Sequence, residues 1–453
     1  MTSQEFRATC TLSLVFALRM LGLFALLPVL SLYAEQLQGS TPTLIGLAIG
    51  GYGLSQALLQ IPAGRLSDRI GRKPVIVGGL LLFMAGSLWA GGADTIEGVI
   101  GGRLLQGSGA IAAALTALLA DMTGEENRTR AMAFFGMSIG ITFCLSMVLG
   151  PLLASTWGLS ALFYITAVLA LLAIVLVLWG VPASPRPSAQ KDSRPPSLAS
   201  VLAHRQLLRL NFGVFVLHFI LVSLFVQLPV TLQKSAGLAP TDHWWVYLCA
   251  MLVSFVAMVP FIVIGEKNRV IGPLMAAAII LLLLARWLVG LSASSLVVIV
   301  TGTTCFFVAF NYLEATLPSL VSRIADVHSR GTAMGLFSTC QFLGAGCGGA
   351  VAGYVAGKWG SSGVLCVVAV MAVTWWLLSV TIGRLPYVSS LTLTLDRAKG
   401  AGVAGLHEQL AAVVGVENVT LAANGSVAHL KIDKKRIDEQ QLRQFGTWQG
   451  ELH

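Results

Sequence analysis

Gly64-Arg65-Leu66-Ser67-Asp68-Arg69-Ile70-Gly71-Arg72-Lys73 places four cations, one acid and two glycines in ten residues, between two long apolar runs. Only 11% of the 453 residues are charged, so a cluster this dense marks a point where the chain leaves apolar surroundings. Hydrophobic residues make up 56% of the chain and the mean hydropathy is +0.81, more apolar surface than a soluble fold of this length can hide. A helix needs about 20 mostly apolar residues to cross the hydrocarbon core of a bilayer. Counting outward from the cluster gives twelve such runs, at roughly 11–33, 43–64, 74–92, 97–121, 131–154, 160–181, 207–232, 243–265, 271–290, 294–320, 331–356 and 360–383, numbered below as spans one to twelve. No small-residue cleavage site follows the first run, which is therefore expected to remain as a span.

The cations sort by face. Sixteen Lys and Arg fall in segments where even-numbered spans end and odd-numbered ones begin, whereas the opposite loops hold only Lys234 and Lys358. This bias predicts both termini in the cytoplasm, with the net charge of +9 serving topology and contact with anionic lipid headgroups. Cations scattered over many short loops do not form a nucleic-acid surface, so no such partner is expected. The seven cysteines show no CxxC spacing and none lies in a clearly external loop, so neither a disulfide, a metal site nor a cofactor is expected.

Two halves are legible. Val181-Pro182-Ala183-Ser184-Pro185-Arg186-Pro187 opens a stretch rich in proline, serine and charge, which predicts a cytoplasmic linker over 182–206 between 1–181 and 207–386. Arg128-Thr129-Arg130-Ala131-Met132 opens span five and Arg330-Gly331-Thr332-Ala333-Met334 opens span eleven, 202 residues later. The register holds downstream, since Phe135, Trp157 and Gly158 match Phe337, Trp359 and Gly360. Such a repeat predicts two six-helix bundles related by an axis along the membrane normal, with substrate between them.

After Arg384-Leu385-Pro386 the pattern changes. Residues 388–453 carry seven cations and seven anions and no long apolar run. Alternation over 388–395 predicts a strand, 405–414 an amphipathic helix, 415–422 and 426–432 a hairpin across Asn424-Gly425, and 437–445 a second helix. This β-α-β-β-α order predicts a small ferredoxin-like domain over 387–453, closed by a strand from 447–453 if one forms.

The cluster at 64–73 resembles the loop between the second and third helices of the major facilitator superfamily, Gly-x-x-x-Asp-x-x-Gly-Arg-Arg/Lys, at every defining position. The resemblance implies an all-α polytopic fold and a secondary transporter without enzymatic activity. It also implies a gate built from Gly64, Asp68, Gly71, Arg72 and Lys73. Gly64 and Gly71 permit tight turns, and Asp68 is expected to face the positive end of span eleven near Gly331. Arg72 is expected to reach Asp121 at the end of span four, and Arg128 opens span five beside it. The second half keeps only Gly265-Glu266-Lys267-Asn268-Arg269, so the gate is expected to be asymmetric.

Arg103-Leu104-Leu105-Gln106-Gly107-Ser108-Gly109-Ala110 resembles a second superfamily motif linked to proton coupling, with Arg103 expected to bond backbone or polar groups of span one. Gly150-Pro151 resembles the kink of drug/proton antiporters but continues Leu152-Leu153, without that motif's final glycines. The tail stretch GVENVTLAANGSVAHLKI resembles the hairpin of heavy-metal-associated domains. That family's two metal-loop cysteines are missing from 396–402, so metal binding there is expected to be lost.

Ionisable groups inside membrane helices are functional candidates by default. Arg19, Arg286 and Glu314 lie within spans, as does His218. Glu314 is the candidate proton carrier, with Arg103 and Arg19 as coupling candidates, and a structural ion pair of Glu314 with Arg19 or Arg286 as the alternative. Arg286, His218 and Asn311 are candidates for the substrate cavity. No phosphate-binding glycine loop, zinc-spaced histidines or nucleophile elbow appears, which argues against an ATP-driven pump or a membrane enzyme. Together these readings predict a monomeric, multi-pass protein of a bacterial inner membrane that exports small, lipophilic solutes or drugs in exchange for protons. The alternative is a transporter-derived sensor or facilitator whose C-terminal domain binds a regulatory ligand.

Overall fold

The computed structural model describes residues 1–181, 198–291, 295–325, 329–382, 387, 389–395, 403–421, 427–433 and 436–448. Most of the proline-rich linker, the 396–402 loop and the Asn424-Gly425 turn lie outside the described residues. Among those described, ten continuous helices are long and apolar enough to cross a membrane. Two of them, Glu125–Val175 and Arg330–Val380, each run for 51 residues and each break at one glycine, Gly158 (φ 78°) and Gly360 (φ 63°). At about 1.5 Å per residue, 51 residues would span about 76 Å, more than twice the core of a bilayer. Each therefore folds back at its glycine into two spans, and the repeat places both breaks 202 residues apart.

Span one begins earlier than hydropathy predicts. It runs as Ser3–Ala25, bends at Leu26 and continues as Leu27–Tyr33. Thr2 and Glu5 form a reciprocal cap that lets the helix start outside the apolar run. At the bend, Gly150 of span five lies so close that a Cβ atom would sit 2.3 Å from the Ala25 carbonyl oxygen. Span four is also interrupted, as Ile96–Ser108 and Ala112–Asp121, because Gly109 packs its backbone on that of Gly79 in span three. The six-residue helix Leu198–Ala203 precedes span seven, Arg205–Lys234. Spans eight to ten are His243–Lys267, Ile271–Leu291 and Leu296–Ile324.

The 64–73 segment is less of a loop than its charge suggests. Span two is helical over Pro42–Ile70 and span three over Arg72–Gly91, so Gly71 alone makes the turn, at φ 101° and ψ 154°. Gly64 stays helical and makes no turn; a Cβ there would stand at ordinary contact from Ala113 of span four.

The tail forms a four-stranded antiparallel sheet in the order β2-β3-β1-β4, from β1 (Ser389–Leu395), β2 (Val416–Leu421), β3 (Val427–Ile432) and β4 (Gly446–Thr447). Helices Val403–Ala411 and Glu439–Arg443 cover one face over a core of Leu393, Leu410, Leu430, Ile432 and Leu442. The order is consistent with a ferredoxin-like domain. Its closing strand is present but only two residues long, pairing Thr394 with Thr447 and Leu395 with Gly446.

Candidate functional site

The halves are clenched at the face opposite the 64–73 turn. Spans two and eleven meet through bare backbone: Cβ atoms built on Gly46 and Gly50 would lie 2.3 Å from the carbonyl oxygens of Gly349 and Gly346. Such contact needs glycine on both sides. Ser31 Oγ donates to the Phe225 carbonyl across the halves at 3.0 Å, and Lys234 pairs with Glu35 at 2.8 Å. At the face carrying the turn, the loop face, a Cβ on Gly331 or Gly335 would meet nothing within 4 Å. Span eleven is therefore packed at one end and open at the other.

At the loop face Arg72 organises the first half. Its Nη1 donates to Ser67 Oγ at 2.8 Å and to Asp68, and its Nε to Asp121 Oδ2 at 3.3 Å. The structure thus brings Arg72 to Asp121, but Asp68 turns to Arg72, four residues on across the Gly71 turn, and not to span eleven. Gly331 is itself exposed, and a Cβ there would meet nothing within 4 Å. Lys73 donates to the Val181 carbonyl at the end of span six, and Arg128 to that of Ala120 at 3.4 Å. Both cations so meet the negative ends of helices.

Arg103 is fully buried, and its partners correct the expectation of span one. Its Nε and Nη2 donate to the carbonyls of Ala48 and Ile49 in span two at 3.2 and 3.3 Å, and its Nη1 to Gln106 at 3.0 Å. Arg19 of span one donates to Gln56 Oε1 and the Gly109 carbonyl, both at 2.8 Å, with its guanidinium 5.3 Å from the Phe83 ring. Neither arginine pairs with Glu314, and nor does Arg286, which is buried in the second half on Gln227. Asn311 donates to Ser254 at 2.8 Å between spans ten and eight. Arg286 and Asn311 are both buried against these neighbours.

Glu314 instead meets two residues that hydropathy alone does not connect to it. Gln341 Nε2 of span eleven donates to Glu314 Oε1 at 3.1 Å and lies 2.9 Å from His218 Nε2 of span seven. His218 Nε2 is 3.7 Å from Glu314 Oε2, and its Nδ1 lies 3.1 Å from the Val214 carbonyl. The Phe310 ring stands edge-on to the imidazole at 5.8 Å and faces Phe143 of span five, in the other half. A carbonyl accepts only from Nδ1–H, so Nε2 of the neutral ring accepts from Gln341, whose second amide hydrogen serves the carboxylate. Gln341 is the site residue that sequence reasoning missed; its signal is an uncharged polar side chain among the small residues of span eleven.

The comparisons with known proteins agree with this architecture. Residues 12–348 match the family model described as Major Facilitator Superfamily. The chain is 46% identical over 446 residues to the inner membrane transport protein YajR of Escherichia coli, covering 98% of each chain. It is 29% identical over 357 residues to the multidrug resistance protein MdtH of Aeromonas salmonicida, covering 76% of this chain and 85% of that one. A solved bacterial homologue of the human lysosomal transporter Spinster, described as inward-facing and unoccupied, superposes with a TM-score of 0.67 at 14% identity, over 84% of this chain and 98% of that one. With its glycine-to-glycine seam, its single-residue turn at Gly71 and a family match over most of its length, this chain belongs to the Major Facilitator Superfamily of membrane transporters.

Proposed function

We propose that the protein exports small, lipophilic solutes or drugs across a bacterial inner membrane by alternating access, in exchange for protons taken up at Glu314. The observation that carries this reading is the Glu314–Gln341–His218 network. Glu314 lies ten residues from the loop-face end of span ten, about 15 Å at 1.5 Å per residue, which is half a bilayer. A third of its side chain is exposed, and Oε2 has no hydrogen-bond donor among the described residues. A proton added at His218 Nε2 turns that atom from acceptor to donor and forces the Gln341 amide to turn its oxygen toward it, whereas a proton on Glu314 Oε2 removes the carboxylate charge beside Gln341 and leaves Oε1 accepting from it. Gln341 precedes Phe342, whose carbonyl oxygen lies 2.6 Å from a Cβ built on Gly53. Loading the site with a proton thus acts on span eleven, beside its seam with span two.

On this reading the loop face is cytoplasmic, as are both termini, and the 1–181 and 207–386 halves rock about the seam. When the loop face closes, Asp68 leaves Arg72 for the N-terminus of span eleven near Gly331, where unsatisfied N–H groups favour an anion. The multidrug resistance relative supports a drug-like cargo, and the apolar, aromatic surroundings of Phe143 and Phe310 suit one.

The test uses purified protein in liposomes with an internal pH-sensitive dye and an imposed proton gradient, against a panel of lipophilic compounds. A compound that moves protons with wild-type protein is expected to lose at least about tenfold of that flux with Glu314→Gln, with binding retained. Normal proton-coupled flux in Glu314→Gln removes Glu314 from the mechanism.

A further inference from the structure

The tail is fastened to the second half at its loop face. Lys431 Nζ, on β3, donates to the carbonyls of Arg323 and Ala325 at 2.8 and 2.9 Å, where span ten ends and its carbonyls lack helical partners. Two residues on, Asp433 pairs with Arg269 in the turn between spans eight and nine. Tyr387 Oη accepts from the Ile271 amide at 3.1 Å, and its ring lies 5.6 Å below the Arg269 guanidinium. Lys431 and Asp433 are both buried. Among the described residues Arg269 is the one non-glycine at positive φ, 57°, a conformation that L side chains avoid. Strain at this position persists because its surroundings hold it, and the tail supplies those surroundings.

The place matters. If the spans two–three turn meets the start of span eleven when the loop face closes, the internal repeat carries the spans eight–nine turn to the start of span five, at Arg128–Ala131. The tail occupies that turn. We propose that the tail is an autoinhibitory wedge, clasped to the second half through Lys431, Asp433 and Tyr387, that keeps the loop face open until it is released. The inference rests on the alternating-access reading. The clasp is made of a few polar contacts, the composition of an interface that opens reversibly.

Two distances measured by electron–electron spin resonance test it in the full chain, with the native cysteines replaced. Labels at Gln4 and Arg205 report the opening between spans one and seven at the loop face; labels at Glu417 and Arg205 report tail docking. Arg269→Gly suits the left-handed turn, leaves the tail sequence intact and removes the Asp433 partner. With it, and with Lys431→Met plus Asp433→Asn, the Glu417–Arg205 distances are expected to broaden and the Gln4–Arg205 distances to gain a shorter population. The exchange Arg269→Asp with Asp433→Arg is expected to restore both. Unchanged Glu417–Arg205 distances overturn the clasp; broadening with no change at Gln4–Arg205 overturns the wedge. Lys234→Glu, which breaks the ion pair at the opposite face, serves as the control. If it shifts Gln4–Arg205 where release of the tail does not, the wedge alone is wrong. If neither shifts, alternation between two faces fails with it.

Discussion

The two turns at the loop face, Ile70-Gly71-Arg72 in the first half and Asn268-Arg269-Val270 in the second, occupy equivalent places in the repeat and are built on opposite terms. Asp121 and Arg323 stand 202 residues apart at the ends of spans four and ten. Each pairs with its own half's turn, but with the charges exchanged: Asp121 accepts from Arg72, whereas Arg323 Nη1 donates to Glu266 at 3.1 Å. The left-handed position is glycine in one and arginine in the other. The first turn is self-contained, its cations spent on Asp68, Asp121 and Val181. The second is completed from outside, by Asp433 and Tyr387 of the tail. One ancestral device can thus yield a turn left able to move and a turn held in place, by changing which side supplies the anion.

The largest effect that would sharpen the contrast is at the backbone. Gly71→Ala puts a Cβ on a conformation that is essentially reserved to glycine, at a cost of about 1–3 kcal/mol. A clear fall in the melting temperature of detergent-solubilised protein is expected; an unchanged value would mean that the turn rearranges to a conformation that does not require the positive φ. Next comes Arg72→Met, which strips Ser67, Asp68 and Asp121 of one shared partner. Both carboxylates are well exposed, so solvent screening holds the loss to about 1 kcal/mol. That loss should shrink in high salt; a salt-independent loss would assign Arg72 a packing role instead. The smallest effect tests the charge exchange itself. Glu266→Arg and Arg323→Glu are each expected to destabilise by up to about 1 kcal/mol through like-charge contact, and the double variant to return within about 0.5 kcal/mol of wild type. Additive losses would show that the two polarities are not interchangeable.

Much of this was written locally. The twelve spans follow from apolar runs, the turn from its charge cluster, and the order of strands and helices along the tail from alternation. The errors have local causes as well. Hydropathy starts span one late because a capped helix start carries polar residues, and it shows span four as continuous because the break at Gly109 goes with its close packing on Gly79 and leaves no mark in an apolar run. The 64–73 segment resembles a loop in sequence because its charge marks the membrane boundary, whereas both helices carry charge past that boundary and only Gly71 turns.

The amino-acid sequence by itself determined that the chain crosses a membrane, that its two halves repeat at 202 residues, and which side chains are ionisable within the spans. Those properties reside in composition, periodicity and residue type. Only the tertiary structure decided the partners: Arg103 on the carbonyls of span two, Glu314 with His218 and Gln341 from two other spans, and Lys431 on the last carbonyls of span ten. Backbone carbonyls are the same at every residue and leave no mark in a sequence. Which ends of the spans pack together is likewise decided in three dimensions, because glycines run along the whole of span eleven and only packing selects Gly346, Gly349 and Gly353 for contact with span two while Gly331 and Gly335 meet nothing.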